Sequence, residues 1–269
     1  MSAGRKPNAA ACAAHERLFP GHVSTLAVTD PELIEYFDNF AFDEVLQHTQ
    51  ELPEPTRLMM QLAAMIAVGA LAEYRVMLGA ALTVGVTPVA AKEIVYQAVP
   101  YAGMARVFDF LHATNEVLTD RGIELPLKGQ STTGPDTRMK QGLAVQKQIV
   151  GDQAVDAMYA NAPADEQHIQ RFLSGNCFGD HYTRTGLDAP TRELLTFAML
   201  AALGGADAQV KGHVAANLNA GNTRATLLAV LTGLLPFIGY PRTLNALAAV
   251  DAVAAASADG APTAKKADA

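Results

Sequence analysis

Gln209 and His213 stand four residues apart in the C-terminal half of the chain. On a helix that spacing puts both side chains on one face. Imidazole has an ordinary pKa near neutrality, so His213 is a candidate proton carrier. An amide one turn before it is a candidate donor to a developing oxyanion. An ordinary solvent-facing or packed helix accepts the same spacing, so the pair needs a second signal. A repeat supplies one. Ala80, Leu82, Gly85, Thr87, Pro100, Gly103, Arg106 and Leu111 return as Ala216, Leu218, Gly221, Thr223, Pro236, Gly239, Arg242 and Leu247, always 136 residues later. Upstream, Pro55-Thr56-Arg57 answers Pro190-Thr191-Arg192, with one residue inserted between. A repeat this long marks two copies of one fold unit. In the shared register Glu73 falls opposite Gln209, and Met77 opposite His213. One copy thus offers a carboxylate without an imidazole, and the other an imidazole with an amide. Divergence of a duplicated site leaves that kind of difference, which makes Glu73 a third candidate. Its bland alternative is an ion pair with Arg75 or another surface cation.

The elements that must position these groups read as helices. Asp30-Pro31-Glu32 supplies a cap, an N1 proline and an acidic first turn. Thr56 opens a helix running to about Gly69, and a second runs from about Ala72 to Gly85. Thr87 and Pro88 start a third that extends towards Pro100, and Gly103 separates it from a fourth. Thr191, Gly221, Thr223 and Gly239-Tyr240-Pro241 punctuate the second copy in the same order. Residues 121–138, with Gly122, Pro126, Gly129, Ser131, Gly134 and Pro135, have loop composition. Residues 139–174 return to helix, with Leu143, Val145, Ile149, Val150, Ala154, Met158, Ile169 and Phe172 as core candidates. No stretch alternates long enough for a sheet. The expectation is an all-α chain of two tandem modules packed as an intramolecular pseudo-dimer. Its parts are an N-terminal tail (1–28), a first module (29–120), a linker loop (121–138), a second module (139–255) and a C-terminal tail (256–269), with 1–14 and 256–269 expected to be disordered.

Bulk properties remove several functions. The net charge of −7 and the lack of a basic stripe argue against nucleic-acid binding. No apolar run approaches the roughly 20 residues that span a bilayer, and no signal peptide is expected. The two cysteines, Cys12 and Cys177, have neither a C-x-x-C nor a zinc spacing. Reduced thiols in a cytoplasmic protein, with no metal and no cofactor, are expected.

The stretch Gly179-Asp180-His181-Tyr182-Thr183-Arg184-Thr185-Gly186-Leu187-Asp188, then Thr191-Arg192, Gln209-x-x-x-His213-x-Ala215-Ala216 and Asn219-x-Gly221-x-Thr223, resembles the carboxymuconolactone decarboxylase family. The first copy resembles it through Arg57, Glu73, Ala80-Ala81-Leu82, Gly85-Val86-Thr87, Lys92-Glu93-Ile94, Gln97 and Tyr101-Ala102-Gly103. The resemblance implies a helical fold of the alkyl hydroperoxidase-D type, assembled into trimers or hexamers of modules, with a homo-oligomeric trimer the expected form of this chain. It also implies two possible chemistries. A peroxidase branch uses a C-x-x-C whose second cysteine precedes the histidine by four. Those cysteine positions are Ala206 and Gln209 in one copy, Gly69-Ala70 and Glu73 in the other, so the required thiols are absent. A decarboxylase branch carries Glu and His four apart and a tryptophan-containing motif. Here Glu and His fall in different copies, and Phe178 and Tyr182 replace the tryptophans.

The leading expectation is therefore cofactor-free decarboxylation or proton transfer on a small carboxylated lactone or carbonyl compound. By the same resemblance His213, Gln209 and Glu73 are catalytic candidates. Tyr182, His181, Arg184, Arg192, Cys177 and Glu93 are substrate-binding candidates. Arg184 and Arg192 could grip a carboxylate or make structural ion pairs. Cys177 could be an activated thiolate or a buried small hydrophobe. Glu193 reads as a first-turn carboxylate suited to the helix dipole. An antioxidant reductase, or a non-catalytic oligomeric ligand-binding module, remain the alternatives.

Overall fold

A computed structural model describes residues 6–259, all of it helix, turn and loop, with no strand among the described residues. The first half comprises α1 (Ala9–Leu18), α2 (Leu26–Thr29), α3 (Pro31–Asn39), a π-helical turn (Phe40–Glu44), α4 (Val45–Gln47), α5 (Glu54–Val68), α6 (Leu71–Thr83), α7 (Pro88–Ala102) and α8 (Met104–Asp120). The second comprises α9 (Arg138–Val150), α10 (Asp152–Asn161), α11 (Gln167–Phe172), a π-helical stretch (Leu173–Tyr182), α12 (Ala189–Leu203), α13 (Asp207–Asn219), α14 (Arg224–Ile238) and α15 (Tyr240–Asp259).

The local causes repeat with the sequence. Thr87 and Thr223 each cap a helix, accepting from the backbone N–H of Ala90 and Thr226. Asp188 caps α12 by accepting from Thr191 N–H, so Thr191 lies inside the helix that it was expected to open. Thr56 likewise lies inside α5, which starts at Glu54. Gly69 ends α5 with a left-handed φ of 79°, a conformation that glycine adopts without penalty.

Helices α5 and α12 are apolar almost all round and pack on each other at the centre of the molecule. Helices α7 and α14 pack on both of them. One continuous hydrophobic core therefore joins the two copies, which is how an intramolecular pseudo-dimer buries its seam. A smaller cluster of Ile149, Cys177, Phe178, Tyr182 and Ala216 lies beside it.

Further expectations are corrected. Residues 256–259 continue α15 as helix, although they read as part of a disordered tail. Ala9–Leu18 is an ordered helix, although residues 1–14 read as a tail. Asn8 caps it, and the Asn8 backbone N–H and side chain bond Asn39 and Asp43. Those long-range anchors, with Ala11, Ala14 and Leu18 buried, outweigh the small-residue composition. Ala154, Met158, Ile169 and Phe172 are exposed rather than in the core. Residues 1–5 and 260–269 lie outside the described residues.

The π-helical stretch before α12 is clamped by α9 at two glycines. A Cβ on Gly142 would run into Ser174 O and Gly179, and one on Gly179 into Arg138 O. Only hydrogen side chains allow backbones this close. The contact fixes the stretch that carries Cys177 and Tyr182.

Candidate active site

Glu193 sits in the first turns of α12 and is fully buried. His213, on α13, turns its ring onto it: Nδ1 lies 2.8 Å from Glu193 Oε2. A carboxylate accepts only, so Nδ1 carries the proton and Nε2 is left free for chemistry. The His213 side chain keeps 18% of its surface exposed. The ring thus reaches solvent on one side and a buried anion on the other.

The second carboxylate oxygen is also taken. Tyr182 OH donates to Glu193 Oε1 at 2.7 Å. With its single proton spent there, Tyr182 accepts from its other two neighbours, Tyr101 OH at 3.0 Å and Thr196 Oγ1 at 2.9 Å. Cys177 Sγ–H donates weakly to Tyr101 OH at 3.7 Å, and Gln97 Nε2 donates to Thr196 Oγ1 at 3.2 Å. Every proton in this network points towards Glu193. Asn217 Nδ2 adds bonds to the backbone carbonyls of Glu193 and His213, tying α12 to α13. The ring of Tyr101, from α7 of the other copy, meets the His213 ring edge-on with centroids 5.6 Å apart. The centre is therefore built across the seam.

The acidities follow from burial. Burial pushes the Tyr101 and Tyr182 phenols well above their ordinary values, and the Glu193 charge adds to it at both. Burial also drives the Cys177 thiol up to about 12. Both phenols and the thiol are neutral donors here, and Cys177 is not an activated thiolate.

A second network abuts the first. Glu93, on α7, is buried between two arginines. Arg184 Nε and Nη2 lie 2.8–3.0 Å from its carboxylate oxygens, and Arg192 Nη2 lies 2.7 Å from Oε2. Arg192 also donates to Gln97 Oε1 and Arg184 O. Burial alone would raise the Glu93 pKa, but the hydrogen bonds and charges of the two arginines together outweigh it. Its carboxyl is held below the ordinary range. Gly186 packs against this carboxylate so closely that a Cβ would run into it. Through Gln97 and Thr196 the ion cluster connects to Tyr182 and so to Glu193.

The structure thus brings His213, Tyr182 and Cys177 into one cluster, with Glu93, Arg184 and Arg192 in the network beside it. Arg192 is wholly buried, with Nη1 and Nη2 spent on Gln97, Glu93 and Arg184 O and only its buried Nε without a partner, so it holds Glu93 in place of the substrate carboxylate expected of it. His181 faces α7, bonding the Tyr96 backbone while its Nδ1 has no partner. Burial lowers its pKa. Gln209 is exposed one turn before His213. Glu73 belongs elsewhere, on the rim of a different cavity near His15 and His22. There burial raises its pKa, partly offset by His22.

Sequence reasoning missed Glu193, Tyr101 and Thr196 as parts of the centre. The repeat held the signal for Glu193, because in the Pro55-Thr56-Arg57 register it stands opposite Leu58.

Comparison with known proteins agrees with the doubled architecture. The model of the Carboxymuconolactone decarboxylase family matches twice, at residues 31–116 and 167–252, together more than half of the chain. The chain is also similar to a protein named 4-carboxymuconolactone decarboxylase from Acinetobacter baylyi (strain ATCC 33305 / BD413 / ADP1). The two are 32% identical over 112 residues, which is 42% of this chain and 83% of that protein. Among the described residues no helix is long and apolar enough to cross a membrane.

Proposed function

The chain belongs to the carboxymuconolactone decarboxylase family, and from that premise we propose that it is a carboxy-lyase acting on a small carboxylated lactone or carbonyl compound, with His213 as the proton carrier. The observation that carries this reading is the buried Glu193 holding His213 by Nδ1 at 2.8 Å, with the other nitrogen free beside a solvent-reachable surface.

The reaction balances with the chain's own residues. The bond between the substrate carboxylate and its neighbouring carbon breaks, carbon dioxide leaves, and the electron pair moves into the conjugated carbonyl as an enolate. Imidazolium Nε2 of His213 then gives its proton to that carbon, and the neutral ring regains one from water. Glu193 accepts from Nδ1 and so holds the ring with Nε2 turned to the substrate. Tyr182, supported by Tyr101 and Thr196, fixes the carboxylate so that it does not swing away. Gln209, on the exposed turn before His213, is the donor assigned to the enolate oxygen. Glu93, Arg184 and Arg192 hold α7 against α12 and so keep Tyr101 in place. No specific observation favours the peroxidase reading, since Cys177 is buried with a raised pKa and Cys12 is exposed elsewhere.

The assembly we propose is a homo-oligomer, a trimer by family analogy, working in the cytoplasm. Exposed Val23, Leu26, Val28, Leu33 and Tyr36 support an oligomer by offering apolar surface. Light scattering reads the mass directly, and a monomer at high concentration would contradict it.

The activity test is a screen of carboxylated muconolactones and β-keto acids for carbon dioxide release, repeated with His213→Ala. We expect at least one substrate to turn over, with a loss on the order of 10²- to 10⁴-fold in the variant, the range for removing a positioned acid. Equal turnover by the variant removes His213 from the mechanism.

A further inference from the structure

A cavity of about 320 Å³ lies under the linker that joins the two copies, away from His213. Residues 125–130 form its roof, α7 its floor, and Asn115 and Arg184 part of its walls. Neither His213 nor Glu193 lines it. From Glu93 on its floor to Tyr101 beside His213 is eight residues of α7, about 12 Å at the helical rise.

The roof is pinned to the second copy. Thr185 N–H donates to Gln130 O at 3.0 Å, and Thr185 Oγ1 to Gln130 Oε1 at 2.8 Å. Thr132 and Thr133 hydroxyls bond the carbonyls of Thr183 and Gly179.

The lining is cationic in a chain of net charge −7. Lys92, Lys128 and Arg184 converge on the cavity, where the carboxylate is Glu93. That carboxylate is already shared by Arg184 and the buried Arg192. Lys92 Nζ has a neutral partner, Asn115 Oδ1 at 2.6 Å, and burial lowers its pKa. Arg184 spends Nε and Nη2 on Glu93, which leaves Nη1 available. Both cations lie over the Tyr96 ring, Lys92 Nζ 5.6 Å and Arg184 Cζ 4.8 Å from its centroid. Val89, Leu125, Pro126 and Leu127 supply the apolar remainder.

We infer that this cavity is a second binding site, for a small carboxylate with a flat apolar body. The carboxylate pairs with Lys92 and the free edge of Arg184. The body lies against Tyr96 and the Leu125–Leu127 roof. An anion there offsets excess positive charge where water is partly excluded, the setting in which charge pairing is strongest. The site stands whether or not His213 is catalytic.

The test titrates the full chain with benzoate at low salt by calorimetry, and follows the backbone amides of residues 125–130 by NMR. The expected result is saturable one-to-one binding with shifts at those amides. Lys92→Met should weaken it at least tenfold, Lys92→Arg should retain it, and His213→Ala should leave it unchanged. Benzamide and inorganic phosphate should each bind at least tenfold more weakly, since one lacks the charge and the other the apolar body. Absence of saturable binding overturns the inference, as do equal affinity for either analogue and loss with His213→Ala but not with Lys92→Met. Should Lys92→Met fail to fold, the amide shifts and the Lys92→Arg result still decide.

Discussion

The polar network around His213 has a largely apolar twin in the other half of the chain. At the offset of 136, His213 answers Met77, Tyr101 answers Phe237, Tyr182 answers Leu46, Cys177 answers Ala41, Glu93 answers Ala229 and Gln97 answers Gly233. In the Pro55-Thr56-Arg57 register, Glu193 answers Leu58. Each polar member of the network at these positions has an apolar or side-chain-free counterpart. Phe42 and Phe178 alone match at the edge of both. The twin is packed core: Leu58, Met77 and Ala229 are buried, and Leu46 and Phe237 pack against them. A hydrogen-bonded network loses its worth once any member is missing, because the remaining polar groups are then buried without partners. The first half lacks the polar groups at these positions together, which fits that rule, while Gln61 and Arg57, opposite Thr196 and Arg192, stay polar with other partners.

The arginine that the two halves share makes the same point. Arg192 reaches across the seam to Glu93. Its counterpart Arg57 finds Ala229 and Gly233 in that direction, and pairs instead with Glu54 three residues earlier on its own helix, at 3.0 Å. A buried arginine is kept at this position in both halves, but in the first half its counter-charge lies in the local turn and in the second it lies in the opposite copy. Gln61, meanwhile, donates to Gly233 O.

The largest effect should come from making the His213 half resemble its twin. Glu193→Leu with His213→Met should abolish turnover, by on the order of 10²- to 10⁴-fold. Glu193→Leu alone also strands Tyr182 and should unfold at a lower temperature than the double variant carrying Tyr182→Leu as well. Replacing a whole buried polar group with apolar residues is near neutral, whereas removing one partner is costly. Thermal melts of the three variants make the comparison. A triple variant less stable than Glu193→Leu would mean that the halves do not share a packing plan.

Next are the two arginine partners. Glu93→Gln should cost about 3–5 kcal/mol, because it leaves Arg192 buried without a counter-ion. Glu54→Gln should cost about 1 kcal/mol or less, since Glu54 is partly exposed. Urea unfolding of both variants gives the ratio. The pH dependence follows in sign. The Glu93 carboxyl is held below its ordinary value in the folded chain, so its stabilisation is complete above about pH 4.3, the unfolded value. It fades as pH falls through the lower folded value. Glu93→Gln should remove that part of the acid sensitivity while lowering stability at neutral pH. A wild-type acid midpoint unchanged by the substitution would contradict the pairing.

Smaller effects test the frame. Gly142→Ala should cost about 1–3 kcal/mol by pushing α9 off the π-helical stretch, and activity should fall with it as Tyr182 shifts. Thr87→Ala and Thr223→Ala should each cost about 1 kcal/mol and agree with each other, because the same cap serves the same helix in both copies. Unequal losses would show that the repeat is not equivalent even where its residues match.

How much of this the chain disclosed depends on the range of the signal. Thr87-Pro88, Gly69 and Gly103 act within one turn, so helix order could be read directly. The repeat at 136 residues exposed the two modules and the contrast of His213 with Met77. Glu193 stayed hidden because its partner is on another helix, and no spacing rule links positions 193 and 213. Comparison of the copies at Leu58 would have revealed it. Tyr101 was hidden more deeply, since it crosses the seam from the other copy. Ala9–Leu18 was misread because small residues look like a tail until Asn39 and Asp43 are known to anchor Asn8. Arg184 and Arg192 were identified as important, but only packing shows that Glu93 occupies them.

The central claim is that reactivity resides in one half of a doubled fold. Its most direct measurement is carbon dioxide release from a carboxymuconolactone by two matched variants, His213→Ala and Met77→Ala. A loss of at least a hundredfold in the first, with the second within threefold of the parent after correction for folded fraction, is the predicted result. Equal losses, or a larger loss at Met77, would contradict it.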